Sequence, residues 1–242
     1  MALQETEAYV LHARRWREQS LLLECFGAGP GRFGLLARGA VGARRGPARA
    51  ELQPLRRLRL CYVMRGELGT LRDAELLTLH ALQADALLAV LYVNELLVRL
   101  LPRDEALPRL YARYAALLRA LGEGAGAAWL LRGFERDLLD ALGYAPRLTH
   151  TDEGEAILAG GLYAWAPEQG MRIWQADAPG EPLRGSALLA LAGDRMPDAQ
   201  DQAALRRLLR RMLAEHLGGR ALNAWSLAPL APLARGRPPA TD

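Results

Sequence analysis

Lysine is missing from this chain: all 31 of its basic residues are arginine. Every cationic contact can therefore be bidentate to a phosphate or stacked on a ring. Cysteine is nearly missing too. Cys25 and Cys61 stand alone in strand-like surroundings without a CxxC, which excludes a structural zinc site and leaves buried reduced thiols as the reading. The four histidines, His12, His80, His150 and His216, are too dispersed to form a metal-ligand pattern. No apolar run is long enough to cross a bilayer; the best, Ala86–Val93, stops at Asn94 and Glu95. The first ten residues carry Glu5 and Glu7 where a signal peptide would be basic and then apolar, so a cytoplasmic location is expected. GxSxG, P-loop, HExxH and a strand-to-helix GxGxxG are all missing, and no cofactor or catalytic constellation is marked. A non-enzymatic protein is expected.

What is present is localised charge. Arg32 to Arg65 holds nine arginines against the single acid Glu51, a sum of +8, whereas the whole chain sums to +4. Residues 76–242 carry 18 arginines and 19 carboxylates, a sum of −1. A positive field packed into one segment is the footprint of a polyanion partner, because arginines that meet phosphates release condensed counterions; a solvated basic loop is the alternative. Arg14-Arg15-Trp16-Arg17 sets an aromatic among three cations, suited to stacking on a base or to covering a barrel mouth. Arg38, Arg44, Arg45 and Arg49 alternate with Gly39, Gly42, Gly46 and Pro47, a flexible basic loop rather than a base reader. With Arg32, Arg56 and Arg57 these are the candidate DNA-binding residues, and phosphate contact without sequence specificity is expected.

The fold expected is α+β. Short apolar runs at Glu7–Ala13, Ser20–Phe26, Arg32–Ala37, Leu58–Met64 and Thr70–Leu76 predict five strands, and Gly27–Gly31 (GAGPG) reads as a turn. Five strands in so short a stretch predict a five-stranded OB-fold β-barrel over 1–78. The few aromatics fit a barrel filled by leucine and valine. A mainly α-helical C-terminal domain is expected over 79–234, with helices at Asp85–Leu101, Asp104–Leu121, Ala127–Leu142 and Asp201–Leu217. Residues 147–198 read as an irregular insert and 235–242 as a disordered tail. The last helix carries Arg206, Arg207, Arg210 and Arg211 on one face, either a solvated side or an extension of a nucleic-acid track. Arg132 and Arg136 flank Phe134, a pattern able to catch an acidic, aromatic-tipped peptide.

Several strings in register carry a resemblance. They are Glu7-Ala8-Tyr9-Val10-Leu11-His12, Glu18-Gln19-Ser20-Leu21-Leu22-Leu23-Glu24, and Gly31-Arg32-Phe33-Gly34-Leu35-Leu36-Ala37-Arg38-Gly39-Ala40. Leu52-Gln53-Pro54, Arg65-Gly66-Glu67-Leu68-Gly69-Thr70-Leu71 and Tyr92-Val93-Asn94-Glu95-Leu96-Leu97 follow. Phe134-Glu135-Arg136-Asp137-Leu138-Leu139, Leu142-Gly143-Tyr144 and Leu217-Gly218-Gly219-Arg220-Ala221-Leu222 complete the set. In this order the chain resembles the RecO family of bacterial recombination mediators over nearly its whole length. The resemblance implies an OB-fold followed by a helical domain, in a cytoplasmic, nucleoid-associated protein. It implies binding of single- and double-stranded DNA, annealing of complementary strands, and loading of RecA with RecR onto strands coated by single-stranded DNA-binding protein (SSB). It also implies that the acidic SSB C-terminal tail docks on the helical domain, with Arg132, Phe134 and Arg136 as the matching positions.

Two departures stand out. Many family members carry a four-cysteine zinc module where this chain has residues 147–180, which hold no cysteine, so it resembles the zinc-free branch and an unligated loop or hairpin is expected. Ala221, Asn223 and Trp225 dilute the charge after Gly218-Gly219, so little DNA binding is expected from that end. Rival readings are an OB-fold RNA-binding module, a non-enzymatic adaptor, and a metal-dependent nuclease.

Overall fold

The computed structural model describes residues 2–41, 50–167, 169–176, 181–218 and 222–223. Strands β1 (Gln4–Trp16), β2 (Ser20–Gly27), β3 (Gly31–Ala37), β4 (Arg56–Arg65) and β5 (Leu68–Leu79) close into a barrel in the order β1-β2-β3-β5-β4. All pairs are antiparallel except β3 with β5, which is the OB-fold arrangement. Side chains alternate across each strand. Leu21, Leu23 and Cys25 of β2, Phe33, Leu35 and Ala37 of β3, and Leu58, Leu60 and Tyr62 of β4 fill the interior, with Phe33 stacked on Tyr62 at 5.3 Å. Burial pushes the Cys25 thiol pKa well up, so this cysteine is an inert hydrophobe.

β1 is buried on both sides. Ala8 and Val10 point into the barrel, while Tyr9 and Leu11, with Phe26 of β2, belong to the core of the helical part. That core is built by α1 (Ala84–Leu100), α2 (Pro108–Gly122), α3 (Ala127–Ala141), α4 (Gly185–Ala192) and α5 (Ala199–His216). Tyr9 meets Tyr114 edge-on at 5.1 Å. The β1–β2 register slips between Val10 and His12, leaving Leu11 as the extra residue of a bulge. Asn94 of α1, fully buried, donates from Nδ2 to the Leu11 carbonyl at 3.0 Å, and Tyr114 Oη donates to Asn94 Oδ1 at 2.7 Å. Tyr114→Phe removes this buried donor and is expected to cost about 1–2 kcal/mol; an unchanged urea midpoint would contradict it.

A second seam lies at the α1–α2 connection. The apolar period predicts a helix from Asp104, but α2 begins at Pro108, whose fixed φ suits the first helical position. Residues 101–105 run along β3 instead: Asp104 N–H donates to the Arg32 carbonyl at 3.0 Å, and Asp104 is left-handed at φ 56°. Gly31 is also left-handed, at φ +65°, and a Cβ there would sit 1.8 Å from the Glu105 carbonyl oxygen.

The stretch after α3 is more regular than its composition suggests. β6 (Leu162–Ala166) pairs antiparallel with β7 (Gly170–Ile173) and with the short β8 (Leu183–Arg184). Tyr163, Met171 and Leu183 carry this small sheet into the helical core. Asp198 caps α5, accepting from the Asp201 N–H at 2.8 Å. The expected tail, 235–242, lies outside the described residues.

Candidate nucleic-acid interface

The bulge at Leu11 decides where the first basic cluster points. Past it, Ala13 packs against the barrel interior, so Arg14 and Trp16 take the outer face. Arg14 pairs across to Leu22, and Leu22 to Leu36; both leucines are half-buried, and Trp16 pairs with Ser20. The Arg14 guanidinium lies 5.4 Å over the Trp16 ring, which remains 41% exposed. Arg15 and Arg17 are exposed around the same turn, Arg17 in the left-handed region at φ 56°. Arg38, exposed, leaves β3 at this end, where Ala37 pairs with Leu21. Val41 N–H donates to the Gln19 carbonyl at 3.2 Å, pinning the start of the β3–β4 connection to the β1–β2 turn. Arg44, Arg45 and Arg49 lie outside the described residues. Ala40 and Leu52, on either side of them in sequence, are both plugged into the barrel core.

Other arginines of the basic segment are engaged with carboxylates from neighbouring strands. Arg32 pairs with Glu24 at 3.1 Å and donates from Nε to the Leu101 carbonyl at 2.9 Å, and Arg103 holds the other oxygen of Glu24. Arg32 is thus a fastener between barrel and helices rather than a side chain projecting into solvent. Arg57 pairs with Glu7; Arg59 reaches Glu75 at 2.5 Å, Glu5 at 3.8 Å and Glu7 at 4.0 Å. Among the described residues Arg38, Arg56 and Arg65 form no ion pair. Of these three, Arg38 stands at the rim that carries Arg14 and Trp16. Sequence reading missed Leu22 and Leu36, whose outward direction follows only from the strand register, and Arg103, brought beside Gly34 by a loop distant in sequence.

The three positions matched to peptide docking do not form one surface. Phe134 is a core residue, packed edge-on to Tyr114 at 6.3 Å, because Leu131, Phe134 and Leu138 make up the apolar stripe of α3. Arg136 is committed to the Leu191 carbonyl at 2.5 Å and to Asp194 at 2.9 Å, tying α3 to the end of α4. Arg132 is 8% exposed at its side chain and pairs with Glu135 at 2.5 Å. Tyr92 donates to the same Glu135 oxygen at 2.7 Å, while Arg132 Nε and Glu135 Oε2 have no hydrogen-bond partner. Burial raises the Glu135 carboxyl pKa above the usual carboxylate range, against the opposing pull of Arg132, Tyr92 and Arg206.

Residues 1–80 match the family model described as Recombination protein O N terminal, and residues 81–226 match Recombination protein O C terminal. The chain is 46% identical over 242 residues to DNA repair protein RecO of Xanthomonas euvesicatoria, covering 98% of this chain and 100% of that one. It is 45% identical over 237 residues to DNA repair protein RecO of Stenotrophomonas maltophilia, covering 96% and 99%.

The chain belongs to the RecO family.

Its kin are DNA repair proteins. The RecO C-terminal match spans the residues of the β6–β7–β8 sheet. Among the described residues, no three His, Cys, Asp or Glu side chains are grouped to hold a metal ion, and no helix is long and apolar enough to cross a membrane.

Proposed function

We propose that this RecO-family protein is a non-enzymatic recombination mediator. It binds single- and double-stranded DNA without sequence preference, anneals complementary strands, including those coated with SSB, and works with RecR to load RecA. The observation that carries the reading is the barrel rim. An exposed tryptophan with an arginine across its ring stands beside two half-buried leucines and the exposed Arg38. Aromatic and guanidinium planes accept any base, and arginines follow any phosphate, so the rim suits a single strand of arbitrary sequence. In annealing, the arginines offset the repulsion between two backbones while bases find their partners. Recruitment to coated strands falls to the helical part. Phe134 and Arg136 are committed elsewhere, so Arg132 is the guanidinium left to meet a tail carboxylate, in exchange for Glu135.

The test is a fluorescence annealing assay on bare and SSB-coated complementary oligonucleotides, with binding followed against salt. With about six arginines on phosphate, log K falls with log salt at a slope near −4 on single strands. Changing Arg38, Arg44, Arg45 and Arg49 together to Ala flattens that slope and abolishes annealing. Arg59→Ala leaves the slope as it was, because three carboxylates already surround that guanidinium. A wild-type slope near −1, or annealing untouched in the quadruple variant, would sink the assignment.

A further inference from the structure

A strand-annealing protein has to hold two strands, and the barrel rim describes a seat for one. The molecule contains a second place with the same chemistry. α5 exposes Arg206, Arg207, Arg210 and Arg211 while Leu205, Leu208, Leu209, Met212 and Leu213 face the core. The four arginines form two columns, 206 with 210 and 207 with 211, each stepping about 6 Å along the helix. The last of them is anchored on a tryptophan. Arg211 lies 5.0 Å over the half-buried ring of Trp165 in β6 and donates from Nη2 to the Trp165 carbonyl at 2.7 Å. An arginine across a tryptophan ring thus occurs in both halves of the molecule, Arg14 on Trp16 and Arg211 on Trp165.

Local charge favours an anion at this second place. Glu181 pairs with Arg207 at 2.5 Å, and Glu215 is the one acid of the last two turns of α5. Even with both fully counted, the four arginines leave this face positive among the described residues. A face meant only for solvation does not need an aromatic at its edge. A guanidinium beside an indole ring makes a composite surface on which a base can stack, while neighbouring arginines reach phosphates. The opposite, apolar side of α5 is spent on the core, so the helix is rigidly placed and its arginines stay in register.

We propose that the α5–β6 face, Arg206, Arg207, Arg210, Arg211 and Trp165, is a second binding site for single-stranded DNA, which takes the complementary strand while the barrel rim holds the first. The assignment rests on the mediator reading above. The two tryptophan seats then act as a pair of supports on one protomer, and annealing follows from their simultaneous occupation.

The test is stoichiometric titration of the full chain with short oligothymidylates carrying either of two dyes, read as energy transfer between strands on one protein, beside the annealing assay. Wild type is expected to take up two strands per protomer. Arg207→Ala with Arg211→Ala is expected to take up one, with annealing slowed about tenfold or more and affinity for the first strand changed less than about twofold. Arg206→Ala with Arg210→Ala leaves the Arg211–Trp165 contact in place and is expected to act in the same direction, which guards against a folding defect at β6. Trp16→Ala removes the other strand and leaves the α5 site occupied. Two strands retained by both double variants, or one strand per protomer on wild type, would overturn the second site while leaving the mediator reading intact. A wild type that takes up no strand would overturn both.

Discussion

Replacing Arg132 with Ala lowers the stability of this protein by about 3–5 kcal/mol, read as a large fall of the urea midpoint. The reason is Glu135, 1% exposed, whose carboxylate loses its paired guanidinium and keeps the Tyr92 hydroxyl and the weaker pull of Arg206. The cost comes from the charge left behind rather than from the attraction removed. A paired change, Arg132→Leu with Glu135→Leu, therefore restores stability to within about 1 kcal/mol of wild type, or raises it. A single Arg132→Ala that unfolds like wild type would show the pair to be solvated. The pH dependence follows from the direction of the Glu135 shift. Its carboxyl pKa is raised in the folded state by burial, so the native protein holds this proton longer than the unfolded chain. Stability from this group is greatest below the unfolded carboxylate range and declines as pH rises from there through the raised folded value. Glu135→Gln removes that decline.

Gly31→Ala is expected to cost about 2–5 kcal/mol, in the same measurement. One part is the left-handed backbone at φ +65°, worth about 1–2 kcal/mol for any residue with a Cβ. The other is steric: the new methyl would lie 1.8 Å from the Glu105 carbonyl oxygen, so the connection between α1 and α2 has to lift from β3. Gly39→Ala is the control, because Gly39 is also left-handed at φ +67° but has nothing within 4 Å. It should lose only the conformational part. Equal losses at the two glycines would mean that the α1–α2 connection gives way freely.

The barrel was legible because its strands alternate, and α1, α3 and α5 because their apolar stripes are long and end at glycine or proline. β6, β7 and β8 were not, since runs of five, four and two residues carry too little period to read. The charge count drew the candidate polyanion surface only coarsely. Glu5, Glu7, Glu24 and Glu75 lie outside the Arg32–Arg65 window, yet strand pairing sets them against Arg57, Arg32 and Arg59. Only register could reveal that. The direction of Arg14 and Trp16 depended on one extra residue, Leu11, which has no sequence mark of its own. Phe134 looked like a peptide anchor between two arginines, but its spacing from Leu131 and Leu138 is equally that of a helix facing its core.

A strand that serves two cores also constrains inheritance. Tyr9, Leu11 and Phe26 on the barrel side fit Asn94, Tyr111 and Tyr114 on the helical side. A chimera that joins this barrel to a relative's helices inherits a mismatched seam unless those residues travel together. Residue 80 therefore joins two halves that share one interior, and a cut there severs a packed seam rather than a simple linker.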